Sequence, residues 1–574
     1  MKSDMYRYLS ALFFTALLLV ACNGKDNHSA EDVLKYNQVG YFTSGPKLVL
    51  LDDQYEEILI KDLDGKLVLR VFADSAKFWE PSGDTVRRAD FSWLNSKGTF
   101  LLEIPGCDVR YQITVSDKPY DEVVRAAIKA FYYNRTAIPL EEKYAGYWYR
   151  QAGHPDTVVY VHASAATEQR PEGTVISSPL GWYDAGDYNK YVVNSAITTY
   201  TLLKALKDYR EYFDTLGVNI PESGSGLPDL LSETLFNLRW VLTMQDPFDG
   251  GVYHKLTSKQ FDDFIMPHES LSDRYVVAKS TAAALDFTAL NAAASRILRD
   301  YEELLPGLAD SCLAAAKLAW NWALQHPDVY YKQPEDIVTG AYGDWNLNDE
   351  WYWAASELFI ASGDPNAKNL VVTYYDQPSV PNWMDVRTLG TMSLLENPEL
   401  EGELSLPLSE DFIALADDLV SVWENSPYAV SIQSFAWGSN STVANEGMLK
   451  MCAYRLSGNK KYLESAISDL DYILGRNATG YCFVTGFGEK RVMNIHHRPS
   501  EADGIHEPIP GFLAGGPNLD VLTDCSDDGN ERSPFPAKSY VDMVCSYSTN
   551  EIAINWNAPL VYLVGAINAS AMTK

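Results

Sequence analysis

The sequence predicts a chain of two unlike domains: a small all-β sandwich followed by a large all-α domain of paired helices. Its length of 574 residues exceeds what one ordinary hydrophobic core can hold. Short β-rich runs occupy residues 33–118, and long helical patterns occupy residues 119–574. With 46% hydrophobic and 21% charged residues, the composition is that of a globular chain.

The first 32 residues have the pattern of an export segment. An apolar run from Leu9 to Ala21 follows two cations and is too short to span a membrane. It ends in Leu-Val-Ala-Cys22, which resembles the lipobox of bacterial lipoproteins, where the cysteine is lipidated. We therefore predict a signal peptide over 1–21, a polar tether over 22–32 and attachment to the outer membrane through Cys22. A secretory signal cleaved near Ala21 is the alternative.

Residues 33–118 carry the pattern of a β-sandwich. Apolar and β-branched runs alternate with turn signals such as Asp62–Gly65 and Pro105-Gly106. Short strands at such spacing are typical of two packed sheets. The predicted strands are 47–51, 57–60, 67–72, 98–104 and 110–115.

Residues 119–574 alternate helical patterns with loops rich in Gly, Pro and Asp. The run near 275–299 has the strongest helical period, being rich in Ala and free of Pro and Gly. Twelve helices fit a double ring of six hairpins, an (α/α)6 barrel. An open helical array is the alternative, although no fixed repeat period marks a solenoid. The predicted helices are 121–133, 188–208, 228–245, 275–299, 309–325, 350–362, 366–376, 386–395, 409–425, 441–456, 460–475 and 551–570.

Charge and cysteine usage exclude several classes of function. The net charge of −31 would repel phosphate backbones, so we expect no nucleic-acid partner. Apart from Cys22, six cysteines lie at irregular spacing without a C-x-x-C pair, which gives no support to a cysteine-based zinc site. A disulfide is compatible with export, but the sequence does not show which cysteines pair. The 36 Tyr and 14 Trp suit either sugar stacking or ordinary cores.

Two aspartates directly precede the helix predicted at 188–208. Asp184 and Asp187 bracket an Ala-Gly pair whose small size lets a substrate approach the backbone. We expect Asp187 at or near the helix N-cap, where the helix dipole favours the ionised carboxylate that can activate a water. A capping aspartate beside a loop aspartate, or a calcium loop, is the alternative.

A third carboxylate lies at the start of the helix predicted at 551–570. Glu551 precedes an apolar stretch, and burial would raise its pKa as a general acid requires, whereas the helix dipole would lower it. An ordinary first-turn glutamate is the alternative. Between the two acidic regions, His496 and Arg498 lie in a rigid polar loop and can bind sugar hydroxyls or orient a carboxylate.

These three segments resemble the motifs of glycoside hydrolase family 9, the inverting cellulase family with an (α/α)6 barrel. Gly181–Asp187 resembles its catalytic-water motif, and Thr485–Arg498 its histidine signature. Tyr540–Ala558 resembles its acidic signature, with Asp542 and Glu551 in the acidic positions. The resemblance covers roughly 119–574. The sandwich, with Lys35–Tyr41, resembles the immunoglobulin-like module that often precedes this barrel.

The resemblance implies a role for each candidate residue. Asp187 is expected to be the base, Asp184 to help hold the water, and Glu551 to be the acid of an inverting hydrolysis. His496, Arg498 and Asp542 are expected beside the substrate, and no cofactor is required. Five aromatic residues are candidates for stacking on sugar rings, each with a core position as its alternative: Trp182, Tyr188, Trp345, Trp437 and Trp556.

Some relatives bind calcium near an Asp-Glu pair. Here Asn346, Asp349, Glu350 and Asp385 supply oxygen ligands for a structural calcium ion, and a capped, solvated helix start is the alternative. Others bind zinc through Cys and His. This chain has His154 and His162 in the matching region but no nearby cysteine, so a zinc site is not expected.

The expected function is endo-acting cleavage of β-1,4 bonds in a cellulose-like glucan, xyloglucan or mixed-linkage glucan, by a monomer. An exo-acting β-glucosidase or glucosaminidase is one alternative, with loops at 154–178 or 499–537 closing one end of the cleft. A non-catalytic glycan-binding protein on the cell surface is another. The charge of −31 disfavours a lyase acting on acidic polysaccharides.

Overall fold

The computed structural model describes residues 33–526, 529 and 531–572. The predicted signal peptide, Cys22 and the tether over 22–32 lie outside this range. Within it, no helix combines the length and apolar character that a membrane crossing requires.

The N-terminal domain is the predicted β-sandwich. One sheet has the order β1-β3-β7-β6 and the other β2-β9-β8-β4-β5. Alternate residues such as Ile58 and Ile60 of β4 turn into a core that contains no helix. The strands are β1 (Leu34–Lys35), β2 (Tyr41–Phe42), β3 (Leu48–Asp52), β4 (Glu57–Lys61), β5 (Leu67–Phe72), β6 (Lys77–Trp79), β7 (Asp84–Asp90), β8 (Gly98–Glu103) and β9 (Arg110–Ser116).

All five predicted strands are present, and four more complete the two sheets. The sequence did not predict β7 because only Val86 and Ala89 of its seven residues are buried. Its remaining residues are polar, so the strand exists through pairing with β3 and β6 rather than through an apolar pattern.

From Asp121 onward the chain is mainly helical. The described helices are α1 (Asp121–Tyr133), α2 (Glu142–Ala145), α3 (Val192–Asp208), α4 (Arg210–Phe213), α5 (Asp229–Thr243), α6 (Thr281–Ile297), α7 (Leu308–Gln325), α8 (Asn348–Ser362), α9 (Pro365–Tyr374), α10 (Arg387–Leu394), α11 (Pro398–Leu404), α12 (Leu408–Asn425), α13 (Ser439–Ser457), α14 (Lys460–Ile473), α15 (Arg498–Ala502), α16 (Tyr547–Asn550) and α17 (Ile554–Met572). Single 3₁₀ turns lie at Gly146–Trp148, Ala163–Ala165, Leu298–Tyr301 and Pro536–Lys538.

Twelve of these helices form the predicted (α/α)6 barrel. Helices α3, α6, α8, α10, α13 and α17 form the inner ring, and each follows an outer helix in the chain: α1, α5, α7, α9, α12 and α14. Inner helices are buried nearly all round, as in α6, where every residue from Thr281 to Ser295 is buried. The last inner helix, α17, packs against the first, α3, and brings the two ends of the domain together.

Three predicted helix starts are late in the structure because strands or extended backbone precede them. Helices α3, α6 and α17 begin at Val192, Thr281 and Ile554 rather than at 188, 275 and 551. The residues before α3 and α6 join a small sheet of order β11-β10-β14-β13-β12, which also includes two short strands of the 154–178 insertion. Its strands are β10 (Val159–Val161), β11 (Val175–Ile176), β12 (Lys190–Tyr191), β13 (Lys255–Thr257) and β14 (Tyr275–Val276).

The sandwich is fixed to the barrel by buried polar contacts. Asn37 donates through Nδ2 to Asp471 Oδ1 at 2.7 Å. Tyr428 donates to Asp84 Oδ2 at 2.9 Å, and Lys538 also pairs with Asp84. Because Lys538 lies shortly before the acidic motif, the sandwich supports the segment that leads to Glu551.

Candidate active site

The two acidic motifs meet where the inner helices α3 and α17 begin. The backbone N–H of Ile554 donates to the carbonyl of Asp184 at 2.8 Å. The N–H of Gly186 donates to Glu551 Oε1 at 3.3 Å. The closed ring thus brings together residues that are more than 360 positions apart in the sequence.

The carboxylate of Asp187 is held by hydrogen-bond donors. Asn189 Nδ2 donates to its Oδ2 at 2.6 Å and the Tyr191 hydroxyl at 2.9 Å. Donors of this kind stabilise the ionised form. The predicted N-cap position is wrong: the N-cap of α3 is Tyr191, because Lys190 and Tyr191 pair with β13 before the helix begins.

Asp184 is buried and also accepts from side chains. Asn194 Nδ2 donates to both carboxylate oxygens, at 3.0 and 3.1 Å, and the Tyr342 hydroxyl donates at 2.8 Å. Burial, with a smaller contribution from the charge of Asp187, raises the pKa of Asp184 to about 8.

Glu551 lies in extended backbone between α16 and α17, and its predicted place at the start of the last helix is wrong. It forms a β-bridge with His496, so long-range pairing fixes its position. The helix dipole therefore does not act on it as expected from the first turn of a helix. Burial raises the pKa of Glu551 well above its usual range, and the charges of Asp187 and Asp184 add to this.

A carboxylate that accepts side-chain hydrogen bonds and a buried carboxyl with a raised pKa can work as a base and an acid. Asp187 can take a proton from a water, while Glu551 can give one to a leaving oxygen.

Gly186 allows the two motifs to approach each other closely. A Cβ atom built at this position would lie 2.2 Å from the carbonyl oxygen of His496. This distance is far shorter than a van der Waals contact, and the backbone carbonyl has no freedom to move aside. Any larger residue at position 186 would therefore push the Asp184–Asp187 loop away from the loop of His496.

His496 contacts the catalytic loops through its backbone and its ring. Its N–H donates to the carbonyl of Asn550 at 2.9 Å, and its Nδ1 lies 2.6 Å from the carbonyl oxygen of Val544. Burial lowers the pKa of His496, so the imidazole is neutral near pH 7.

Arg498 connects the aspartate loop to a loop that the sequence analysis did not single out. Its guanidinium donates to the carbonyl of Gly186 and to that of Asp262, each at 2.7 Å. The rings of Phe261 and Phe264 lie 5.5 and 5.3 Å from it, in cation–π contact. Both phenylalanines are substantially exposed. In the sequence, two aromatic residues flanking a pair of aspartates shortly after β13 were the signal that could have identified this loop.

Asp542 is partly exposed and joins two segments of the site. Its carboxylate accepts the N–H groups of Met493 and Asn494, each at 2.8 Å, and Nδ2 of Asn550 at 3.0 Å. These contacts join the acidic motif to the loop of His496. Its expected place beside the substrate stays a prediction.

The five aromatic candidates divide into two groups. The predicted stacking role is wrong for Trp182 and Tyr188, which are 0% and 1% exposed, so no sugar ring can reach them. Trp182 donates through Nε1 to Glu233, and Tyr188 donates to the carbonyl of Ile265. The remaining three are accessible: Trp345 (68% exposed), Trp437 (41% exposed) and the partly exposed Trp556.

The predicted calcium ligands Asp349 and Glu350 lie in the first turn of α8, and calcium binding there stays a prediction. Among the described residues, no three or more His, Cys, Asp or Glu side chains are grouped as metal ligands. The carboxylate of Asp385 accepts hydrogen bonds from the Ser379 hydroxyl and from Nε of Arg387. However, buried oxygens without hydrogen-bond partners lie on Asp349 and Glu350, and also on Asp286 and Asp344. Burial raises the pKa of Asp349 to about 6. Burial, together with the charges of Asp349 and Asp286, raises the pKa of Glu350 well above its usual range.

A disulfide joins Cys525 to Cys545, a pairing that the sequence left open. It links the 499–537 insertion to the segment just before Glu551. Thiols remain at Cys107, Cys312, Cys452 and Cys482.

Comparison with known proteins agrees with this architecture. The model of glycosyl hydrolase family 9 matches residues 120–564, and that of the cellulase N-terminal Ig-like domain matches residues 29–109. A xyloglucan-specific endo-beta-1,4-glucanase of Bacteroides ovatus is 40% identical over 99% of both chains. Endoglucanase D of Acetivibrio thermocellus is 31% identical over 99% of this chain and 87% of its own. A solved Bacteroides ovatus GH9 structure has a TM-score of 0.88 and 40% identity, covering 94% of this chain and 100% of its own.

Proposed function

The chain belongs to glycosyl hydrolase family 9, and we propose that it is an inverting endo-β-1,4-glucanase whose preferred substrate is xyloglucan. The observation that carries the family and the endo-acting assignment is the match of the whole barrel to family 9 endoglucanases. The preference for xyloglucan rests on the 40% identity to a xyloglucan-specific enzyme over nearly the full length of both chains.

The arrangement of the three carboxyl groups supports inversion at the anomeric carbon. Asp187, held in place by hydrogen bonds from Asn189 and Tyr191, removes a proton from a water that attacks the sugar from one face. Glu551, kept protonated by burial, gives its proton to the glycosidic oxygen on the other face. Asp184 holds the water with Asp187. The bond to the leaving sugar breaks as the water oxygen bonds to the anomeric carbon.

His496 and Arg498 assist from the side. The neutral imidazole of His496 offers Nε2 to a substrate hydroxyl, because Nδ1 is used by Val544. Arg498 fixes the carbonyl of Gly186 and thereby the loop that carries both aspartates. Trp345 and Trp437 offer exposed faces to sugar rings.

The test of substrate preference is a comparison of initial rates on xyloglucan, mixed-linkage glucan and a soluble cellulose derivative. We expect a kcat/KM for xyloglucan at least about tenfold above the others, with a rapid fall in viscosity and products of several sugars. Glu551→Gln serves as the inactive control. Release of single terminal sugars without loss of viscosity would favour the exo-acting alternative, and no cleavage by folded protein would favour a binding protein.

We retain a structural calcium ion as a proposal, supported by the orphaned oxygens near Asp349 and Glu350. Carboxyl groups with raised pKa values bind more protons when folded, so the metal-free protein loses stability as the pH rises from about 4 to about 6. Calcium would offset the repulsion above this range. We therefore expect millimolar calcium to raise Tm by several degrees at about pH 8 and much less at about pH 4.5. Equal Tm values with calcium and with a chelator at both pH values would contradict the proposal.

We also propose attachment to the outer membrane through Cys22, supported by the sequence Leu-Val-Ala-Cys after the apolar run. Metabolic labelling in a bacterial host with a clickable fatty acid should mark the parent chain and not Cys22→Ala. Equal labelling of the two chains would contradict a lipid at this cysteine.

A further inference from the structure

The imidazole of His496 is oriented by a single backbone carbonyl. His496 Nδ1 lies 2.6 Å from the oxygen of Val544, and a carbonyl oxygen only accepts. The proton therefore resides on Nδ1, which leaves Nε2 as the acceptor. The orientation of the ring consequently depends on where the 544–548 segment holds that carbonyl.

The 544–548 segment is short and lacks a strand partner, so other contacts must hold it. Cys545, the residue after Val544, is bonded covalently to Cys525. Next to Cys525, Asp524 Oδ2 accepts the N–H of Ser548 at 3.0 Å and its hydroxyl at 2.6 Å. It also accepts the hydroxyl of Ser546 at 3.1 Å.

The loop on the other side of the disulfide is itself anchored. Arg532 pairs with Asp524 and donates to the carbonyl of Ser539 at 3.0 Å and to the hydroxyl of Ser548 at 2.9 Å. Its side chain is almost wholly buried, which is unusual for an arginine and indicates a fixed position. The disulfide thus ties the carbonyl that orients His496 to an anchored loop.

We propose that the Cys525–Cys545 disulfide is a positioning device for the substrate-binding imidazole: it holds the Val544 carbonyl in place and so fixes the Nδ1–H tautomer of His496. This inference rests on the proposed function, in which Nε2 of His496 receives a substrate hydroxyl. Neither cysteine touches the substrate, so both act through Val544 and His496.

The charged groups around His496 set the direction of the expected change. Arg498 of α15 lowers its pKa, whereas Asp187 of the aspartate loop and Asp524 of the disulfide loop raise it. The hydrogen bond to the Val544 carbonyl raises it more than either aspartate does, and burial, the largest influence, lowers it and keeps the ring neutral. Against the ring lie Phe264 and Tyr547, with centroids at 5.3 and 6.0 Å. A loosened 544–548 segment would admit water and return the pKa toward about 6.5.

The test compares the parent with Cys525→Ala/Cys545→Ala by NMR of ¹⁵N-labelled histidine, with the His496 signal assigned by its loss in His496→Ala. In the parent we expect the Nδ1–H tautomer and a pKa of His496 below the ordinary imidazole value. In the double variant we expect mixed tautomers and titration near about pH 6.5. An unchanged tautomer and an unchanged titration in the variant would overturn the proposal. This readout needs no substrate, so it is independent of whether the proposed function holds.

Kinetics provide the second readout. We expect kcat/KM of the double variant on xyloglucan to fall several-fold more at pH 5.5 than at pH 8, since the protonated ring has no acceptor nitrogen. In the His496→Ala background, removal of the disulfide should add little. A fall that is equal at both pH values and additive with His496→Ala would show a merely structural role and overturn the proposal.

Two further variants keep the test informative if Cys525→Ala/Cys545→Ala does not fold. Cys107→Ala removes a thiol of the sandwich domain and should leave the titration of His496 and the kinetics unchanged. Asp524→Asn keeps the disulfide but weakens the hold on Ser546 and Ser548, so it should shift the titration of His496 in the same direction by a smaller amount. If Asp524→Asn leaves the titration unchanged while Cys525→Ala/Cys545→Ala fails to fold, the proposal is contradicted.

If His496→Ala retains parental kcat/KM, the role of His496 in the proposed function fails, whatever the NMR result. If His496→Ala loses activity while the disulfide variant keeps the parental tautomer, only the inference about the disulfide fails. The two failures are therefore distinguishable.

Discussion

Replacement of Glu551 by Gln is expected to lower kcat on xyloglucan by about 10²–10⁴-fold with the fold intact. The amide keeps the size of the carboxyl and can still accept the N–H of Gly186, but it has no proton to give to the leaving oxygen. On a substrate with a good leaving group, such as an aryl cellobioside, the kcat of Glu551→Gln should fall much less, because that leaving group departs without a proton. Steady-state kinetics on both substrates measure the difference.

Glu446→Gln is the matched control. Glu446 is a buried glutamate of α13 whose pKa is also raised by burial, and the charges that act on it are those of Asp469 and Lys450 rather than the catalytic carboxyl groups. Its replacement should leave kcat within about twofold. Parental turnover by folded Glu551→Gln, or an equal loss in both variants, would remove Glu551 from the role of the acid.

Replacement of Asp187 by Ala is expected to abolish measurable hydrolysis, with a loss of about 10²–10⁴-fold or more. The variant cannot deprotonate the attacking water, and Asn189 and Tyr191 lose their acceptor. Azide, which needs no base, should restore part of the rate and give an α-glycosyl azide. The product is identified by mass spectrometry and proton NMR.

Asp184→Ala should lower kcat less than Asp187→Ala does if Asp184 only holds the water. Asp184 also has a structural function. Its carbonyl accepts the first N–H of α17, and its carboxylate accepts the Tyr342 hydroxyl. The backbone contact survives the substitution. A larger loss in Asp184→Ala than in Asp187→Ala, with both proteins folded, would reverse the assignment of the base.

Elements with an apolar period of their own could be predicted from the sequence. The twelve barrel helices lie in long helical patterns separated by loops rich in Gly, Pro and Asp, and the start of α7 differs from its prediction by one residue. The candidate carboxylates could be predicted too, because both motifs lie at the ends of helices that a closed ring brings together. What the motifs could not show is how each carboxyl is held.

The errors arise where contacts between distant residues decide the structure. Lys190 and Tyr191 become a strand only because β13 pairs with them, and Glu551 is extended only because His496 lies beside it. Trp182 has the sequence context of a cleft aromatic, yet Glu233 and the barrel core enclose it. The contacts of Arg498 with Phe261 and the Cys525–Cys545 bond likewise join segments that no local pattern relates.

The most direct test of the catalytic assignment is the anomeric configuration of the first product released from a β-glucan. If Asp187 activates a water and Glu551 protonates the leaving oxygen, their carboxyl groups must leave room for that water, and the product inverts. Proton NMR of xyloglucan during the first minutes of hydrolysis should therefore show the α-anomer before mutarotation. Initial appearance of the β-anomer would mean that a carboxylate attacks the sugar directly, and would contradict the roles assigned to Asp187 and Glu551.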